Sequence, residues 1–125
     1  MGNSAEFFAG EPTSTNCVRA SGQVACADWW IGEDVYLPSD VAPGFRNMAS
    51  PAEDADPDHF SEFIVTTADN GGVHSNSGIP NHAYYLLVNG GKNAGEALGH
   101  AHSGPEVTGI GVLDSERIFF LGFSG

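Results

Sequence analysis

One segment of the chain carries the spacing of an amphipathic helix, and it constrains the fold more than any other feature. Apolar residues recur at positions i, i+4, i+7 and i+8, which is one face of an α-helix: Ile79, Ala83, Leu86 and Leu87. Asn76 or Ser77 can cap its start. The glycine pair at positions 90–91 supplies its end. The segment therefore predicts a helix between these two signals.

The rest of the chain is rich in loops but apolar enough to fold. It contains 17 glycines and 7 prolines, and 41% of its residues are hydrophobic, a composition of globular rather than disordered proteins. From Leu37 to Asp69 there is little period of either 2 or 3.6, and loops this long are commonly functional or held by a ligand such as a metal. VTGIGVL (107–113) predicts a short extended segment, and Asp114 opens a further apolar run.

The charge balance argues against two classes of partner. With 16 acidic and 4 basic residues the formal net charge is -12, which disfavours nucleic acid and anionic membranes. No stretch approaches the ~20 apolar residues of a membrane span. Met1 is not followed by the pattern of a secretory signal, so the export signal of a secreted protein is expected upstream.

The two cysteines leave two interpretations open. Cys17 and Cys26 flank a small, flexible segment and would close a short loop as a disulfide in an extracellular protein, or remain two free thiols. A zinc site would need further ligands, and none are spaced for one.

Asp69 and His74 lie five positions apart, with Gly71 and Gly72 between them. A carboxylate that accepts a hydrogen bond from one imidazole nitrogen leaves the other nitrogen to donate to developing negative charge. The glycines allow the turn that would bring the two side chains together. On spacing alone, an ordinary turn is the simpler interpretation, because this composition is common in turns.

Several blocks resemble the thermolysin-type neutral metallopeptidases, in the same order and with matching spacing from Asp28 to Gly91. They are DWWIGEDVYLP, FRNMASPAE, DPDHF and DNGGVHSNSGIPNHAYYLLVNGG, with weaker similarity over GNSAEFF and GIGVLDSERIFF. The resemblance implies a mainly α fold with long ordered loops. Residues 1–125 would form part of the C-terminal α-helical domain, truncated at both ends, without the zinc-motif helices and the last C-terminal helices.

The resemblance also implies roles for individual residues. His74 matches the imidazolium that stabilises the oxyanion, Asp69 the acid that orients it, and Arg46 the arginine that hydrogen-bonds a substrate carbonyl. Three residues match the wall of the pocket for the apolar side chain after the scissile bond: Ile31, Val35 and Phe45. Because the family usually has leucine at the last of these, the pocket is expected to be narrower or reshaped.

A calcium site is implied at Glu6, Asp28 and Glu33, and clustered carboxylates suit the six to eight oxygen ligands of calcium. Two departures affect this part of the chain. The segment between Glu6 and Asp28 is longer than in thermolysin and contains both cysteines. Pro43 stands where thermolysin has an acid that helps bind another calcium.

The catalytic zinc of the family is held by H-E-x-x-H and a further glutamate, and no H-E-x-x-H occurs in this sequence. Zinc ligands are therefore expected outside this chain, with Met1 an internal methionine or an artefactual start. His100 and His102 fit a surface turn better than a replacement metal pair. His59 and His82 are interpreted as surface or packing residues.

Two hypotheses follow. In the first, the chain is the substrate-binding and oxyanion-stabilising part of a secreted zinc metalloendopeptidase that cleaves before bulky apolar residues. Its partners are peptide substrates and the rest of the same peptidase, and the chain is inactive alone. In the second, it is a non-catalytic calcium-binding or interaction module derived from such an enzyme.

Overall fold

The computed structural model describes residues 29–31, 45–93 and 104–124. Within these ranges the chain is mainly helical, as predicted. In chain order the elements are β1 (Trp30–Ile31), β2 (Arg46–Asn47), the 3-10 helices η1 (Pro51–Asp54) and η2 (Phe60–Glu62), α1 (Asp69–Asn76), α2 (Gly78–Asn89) and α3 (Val112–Ser124). Several residues to which the sequence analysis gives a role lie outside the described ranges: Glu6, Cys17, Cys26, Asp28, Glu33, Val35, Pro43, His100 and His102.

Helix α2 is the helix that the apolar spacing predicts. It starts after Ser77, and Gly90 ends it by donating its backbone N–H to the carbonyl of Leu86 at 2.8 Å. Its buried residues are Gly78, His82 and Tyr84, whereas Ala83, on the predicted apolar face, is exposed. The helix was therefore predictable from its period, but the side that packs was not.

An aromatic cluster joins α2 to the neighbouring elements. Tyr84 is 7% exposed, and its ring centroid lies 6.1 Å from that of Trp29 and 4.9 Å from that of Phe119, both in edge-to-face arrangements. Such pairs contribute about 0.5–1.5 kcal/mol each beyond the area they bury. Tyr84 is therefore the point at which the chain before β1, helix α2 and helix α3 meet.

The two short strands bring distant parts of the chain together. They pair antiparallel, with Ile31 opposite Arg46, and the backbone N–H of Phe45 donates to the Ile31 carbonyl at 2.7 Å. Met48, just after β2, is 6% exposed, and its carbonyl lies 3.3 Å from Nδ1 of His82. A carbonyl only accepts, so His82 donates from Nδ1 and ties α2 to β2.

The start of α2 lies in close contact with the chain after η1. A Cβ atom at Gly78 would lie 2.4 Å from the carbonyl oxygen of Pro57, a distance that no side chain can occupy. Pro57 is itself among the fully buried residues. Glycine is thus required here because two backbones approach closely, and this approach holds α2 against the segment that follows β2.

Helix α3 begins within the segment that the sequence predicts to be extended. Val107 pairs with Gly91 as an isolated antiparallel bridge, so the extended prediction for 107–113 is right at its start, but Val112 and Leu113 are helical. Ser115 is fully buried, and its Oγ donates to the Gly111 carbonyl at 2.7 Å. The same carbonyl also accepts the backbone N–H of Ser115 at 3.2 Å, so Ser115 binds the start of the helix through two donors.

A groove separates part of α2 from α3. This α2–α3 groove has a volume of about 710 Å³ and is lined by Met48, Pro80, Asn81, Tyr84, Leu113, Glu116, Arg117, Phe119, Phe120 and Ser124. Among the residues that the structure describes, no helix has the length and apolar character needed to cross a membrane.

Candidate functional site

The segment predicted to turn does so with left-handed backbone geometry. Asp69, Asn70, Gly71 and Gly72 have φ values of 50°, 49°, 91° and 73°, and right-handed helix follows them. Both glycine N–H groups donate to the Ala68 carbonyl at 3.0 Å. Aspartate and asparagine tolerate this region better than other non-glycine residues, and glycine adopts it freely. Residues 69–72 are called the left-handed turn below.

The left-handed turn brings Asp69 and His74 into direct contact. One carboxylate oxygen accepts the backbone N–H of His74 at 2.9 Å, and the other contacts Nδ1 of its imidazole. An ionised carboxylate only accepts, so Nδ1 carries the hydrogen. Nε2 is then the nitrogen that remains for a ligand, on a side chain that is 74% exposed.

These contacts favour the ionised form of Asp69. The pKa of Asp69 is lowered from its ordinary value of 3.8, first by the backbone hydrogen bond from His74 and then by the bond from its imidazole. The positive charge of Arg46 lowers this pKa further. The acid is therefore a carboxylate at neutral pH, and Arg46 lies within electrostatic reach of it.

Arg46 is held by a carboxylate that the sequence did not single out. Its guanidinium donates to Asp56 at 2.8 Å, and the two side chains are only 24% and 16% exposed. Ile31 faces Arg46 across the two-stranded sheet, and Phe45, the residue before it, is 60% exposed. The structure thus gathers Ile31, Phe45 and Arg46 at one place, while Val35 lies outside the described residues.

Asn47 fixes the backbone next to Arg46. Its backbone N–H donates to Asp54 at 2.8 Å, and its side-chain amide donates to Glu53 at 3.0 Å. Both acids lie in η1, so the carboxylates of that short helix bind the strand that carries Arg46. Asn47 is 8% exposed, and a buried amide of this kind is costly to leave without partners.

The contacts of two residues in this region, Asp56 and Asn76, were not predicted from the sequence. Asp56 lies in the DPDHF block, but nothing in its spacing from Arg46 indicates an ion pair. Asn76 was considered as a helix cap, whereas Ser77 occupies that position and Asn76 is 8% exposed. Of the two histidines interpreted as surface or packing residues, His82 is buried and His59 is half-buried at the start of η2.

The described residues do not fit a zinc site. Within residues 29–31, 45–93 and 104–124, no three or more histidine, cysteine, aspartate or glutamate side chains are grouped so that they could hold a metal ion. His74 and Arg46 supply hydrogen-bond donors at the candidate site.

Comparison with protein families gives one match that covers most of the chain. Residues 12–123 match the family described as thermolysin metallopeptidase, alpha-helical domain. This range includes all the elements from β1 to α2 and all of α3 except its last residue.

Similar proteins carry the names of bacterial proteases. The chain is 47% identical over 93 residues to a bacillolysin of Bacillus caldolyticus and to a thermolysin of Alicyclobacillus acidocaldarius; the match covers 74% of this chain and 15% of each relative. It is 40% identical over 117 residues to neutral protease B of Bacillus subtilis, covering 91% of this chain and 20% of that protein. The chain therefore spans a fifth or less of the length of these relatives.

Proposed function

The chain belongs to the family of the thermolysin metallopeptidase α-helical domain, and we propose that it is the substrate-binding and oxyanion-stabilising part of a secreted zinc metalloendopeptidase. The observation that carries the proposal is the contact between Asp69 and His74 within electrostatic reach of Arg46. The relatives named thermolysin and neutral protease B support a peptidase, and secretion is part of the proposal.

In this proposal His74 is the oxyanion donor. Asp69 accepts from Nδ1 and holds the ring, so that the protonated imidazole donates from Nε2 to the negative oxygen of the tetrahedral intermediate. A donor that is already oriented needs no reorganisation when the charge develops, which is why such groups lower the barrier. Asp69 is the positioning acid, because it acts through the imidazole and does not contact the substrate.

Arg46 is proposed to bind a carbonyl of the substrate. Its guanidinium has five N–H donors in a planar arrangement, and the bond to Asp56 holds that plane in place. Ile31, Val35 and Phe45 would line the pocket for the apolar side chain after the scissile bond. The exposed Phe45 ring favours contact with bulky apolar side chains.

Zinc and calcium are proposed to bind to different parts of the enzyme. These 125 residues contain no H-E-x-x-H, so the zinc ligands are assigned to another part of the same peptidase, with which this chain would associate. Calcium is proposed at Glu6, Asp28 and Glu33, and a disulfide between Cys17 and Cys26. The roles of His74, Asp69 and Arg46 depend on their own hydrogen bonds and do not require either metal to be in this chain.

A chimaera tests the proposal. The 93-residue matching segment of the Bacillus caldolyticus bacillolysin is replaced by the corresponding segment of this chain, and cleavage of a peptide with a bulky apolar residue after the scissile bond is measured. We expect zinc-dependent cleavage. In the chimaera, His74→Ala should lower kcat by about 10²- to 10³-fold with little change in KM, because the lost interaction forms only in the transition state.

His59→Ala is the matched control, because His59 is also a partly exposed histidine and is bonded to Ser61 rather than to the proposed site. It should leave kcat unchanged. Full activity of the His74→Ala chimaera would contradict the proposed role of His74. A folded chimaera that cleaves no peptide would instead favour a non-catalytic binding module.

A further inference from the structure

We propose that Asn76 is a positioning residue for His74, because it holds the left-handed turn against the extended chain at Ile64. This inference rests on the proposed function of His74 and goes beyond it: it assigns the orientation of the imidazole to an amide that contacts neither the ring nor the substrate. The geometry of three hydrogen bonds carries it.

The Asn76 side chain uses both ends of its amide. Its Oδ1 accepts the backbone N–H of Ile64 at 2.8 Å, and its Nδ2 donates to the Ile64 carbonyl at 2.9 Å. Nδ2 also donates to the Gly71 carbonyl at 3.2 Å. The amide therefore pairs with Ile64 as a neighbouring strand would, and its second hydrogen reaches the centre of the left-handed turn.

Neither partner of Asn76 is held in place by burial of its own side chain. Ile64 is 40% exposed and Val65 is 91% exposed, so neither side chain of the extended segment is buried. The turn includes positive φ values at Asp69 and Asn70, which are unfavourable without outside support. Because Asn76 is 8% exposed, its bonds to both segments are partly shielded from water.

His74 lies between these supports. Ser77 donates its Oγ to the His74 carbonyl at 2.6 Å, and Asp69 binds the N–H and the ring. Asp69 can do this only while the left-handed turn keeps its backbone conformation. Asn76 binds that turn at Gly71, so its loss is expected to release Asp69 and with it the imidazole.

An amide is required at position 76, and a carboxylate cannot replace it. Aspartate has nearly the same shape but no donor, so two carbonyl oxygens that now accept would face a negative charge. The space is also restricted, since a Cβ at Gly72 would lie 3.1 Å from Nδ2 of Asn76. We therefore expect Asn76→Asp to open the turn without changing the volume of the side chain.

The tautomer of His74 tests the inference in the 125-residue chain itself. Nitrogen-15 NMR of the neutral imidazole should show the Nδ1–H form predominating in the wild type, because Asp69 accepts from that nitrogen. Asn76→Asp should lose this preference. Asn76→Ser should lose it as well, and this second variant separates loss of the bonds from the added negative charge.

Asn89→Asp is the matched control, because the exposed Asn89 amide also donates to a carbonyl, that of Tyr85 at 3.2 Å. It makes the same chemical change away from the turn and should keep the wild-type tautomer. If an Asn76 variant lost its structure generally, the backbone amide spectrum of α2 would change. If Asn76 only positions His74, the signals of the His74 ring change and the amide spectrum of α2 stays as in the wild type.

A measurement on the wild type keeps the inference testable even if both Asn76 variants unfold. The side-chain amide hydrogens of Asn76 should exchange with solvent about tenfold or more slowly than those of Asn89, because they are bonded and shielded. Equal exchange rates would overturn the inference, as would an unchanged His74 tautomer in folded Asn76→Ser. A lost tautomer preference combined with a fully active His74→Ala chimaera would support positioning by Asn76 and reject the catalytic role of His74.

Discussion

The left-handed turn and the α2–α3 groove are held by different kinds of interaction. In the turn and its flanks, Asp69 and Asn76 are each bound by two or more hydrogen bonds to named partners. Along the groove, Leu113 and Phe120 remain 59% and 67% exposed. The conformation of the proposed site is thus determined by directional polar contacts. Backbone hydrogen bonds from Ile110 and Gly111 to the end of α2 hold the chain where α3 begins, whereas along the groove α3 contacts α2 through the rings of Phe119 and Tyr84.

The distribution of buried residues leads to the same contrast. Among the described residues, the buried hydrophobic side chains are Met48 and Tyr84, whereas the buried polar ones are Asn47, Asn76, His82, Asn93 and Ser115. Removing one partner of a buried polar group costs more stability than the intact hydrogen bond contributes, because the group left behind has no partner and no water. Substitutions that keep the size of a side chain but remove a hydrogen-bonding group should therefore cost more around the site than at the exposed positions of the groove.

The largest change in the free energy of unfolding is expected in the groove, at the buried lining residue Met48, and not at the exposed lining residue Leu113. Met48→Ala should lower the free energy of unfolding by about 2–5 kcal/mol, because it leaves a cavity beneath β2. Leu113→Ala, at a position 59% exposed, should change it by less than about 0.5 kcal/mol. Urea denaturation of both variants measures the difference, and similar losses would show that the groove is packed throughout.

A smaller loss of unfolding free energy is expected when either of the two neighbouring glycines of the left-handed turn is replaced by alanine. Both Gly71→Ala and Gly72→Ala place a side chain at positive φ and should cost about 1–2 kcal/mol each. Gly72→Ala should cost more, because its Cβ would lie 3.1 Å from both Asn76 Nδ2 and Thr66 Cγ2, whereas nothing lies within 4 Å of the same atom at Gly71. Equal losses in thermal or urea unfolding would mean that Asn76 and Thr66 move aside freely.

The smallest expected effect is the pH dependence of the contribution that Asp69 makes to stability. The pKa of Asp69 is below 3.8 in the folded chain, so its contribution to stability is present above that value and is lost as pH falls through the lower folded pKa. The difference in unfolding free energy between wild type and Asp69→Asn should therefore be full at about pH 5 and reduced at about pH 2.5. A difference that is the same at both pH values would contradict the lowered pKa.

Asp114→Asn is the control for that experiment. Asp114 is an exposed carboxylate of α3 that accepts from Arg117 at 3.1 Å, and a surface ion pair of this kind contributes little. Its removal should change the free energy of unfolding by less than about 1 kcal/mol. The comparison separates the bonds between Asp69 and His74 from the effect of losing one surface charge.

Several local features were predictable, and each depends on residues close together in sequence. The period from Ile79 to Leu87 and the glycine that follows predict α2, because a helix forms from contacts three and four residues apart. The glycines at 71 and 72 predict a turn, and they allow Asp69 and His74 to meet. The extended prediction for 107–113 was wrong at Val112 and Leu113, which are helical, and the buried Ser115 contact at the start of α3 is not visible in a pattern.

The sequence by itself determined helix α2 and the turn after Ala68, whereas the contact of Asp69 with His74 was implied by the family resemblance, because spacing alone favoured an ordinary turn. Only the tertiary structure decided which side of α2 is buried, that Asp56 holds Arg46, and that Asn76 joins the turn to Ile64. Periodicity and glycine placement report short-range backbone preferences. A hydrogen bond between residues ten or twelve positions apart depends on how the chain folds back on itself, and no local pattern encodes that path.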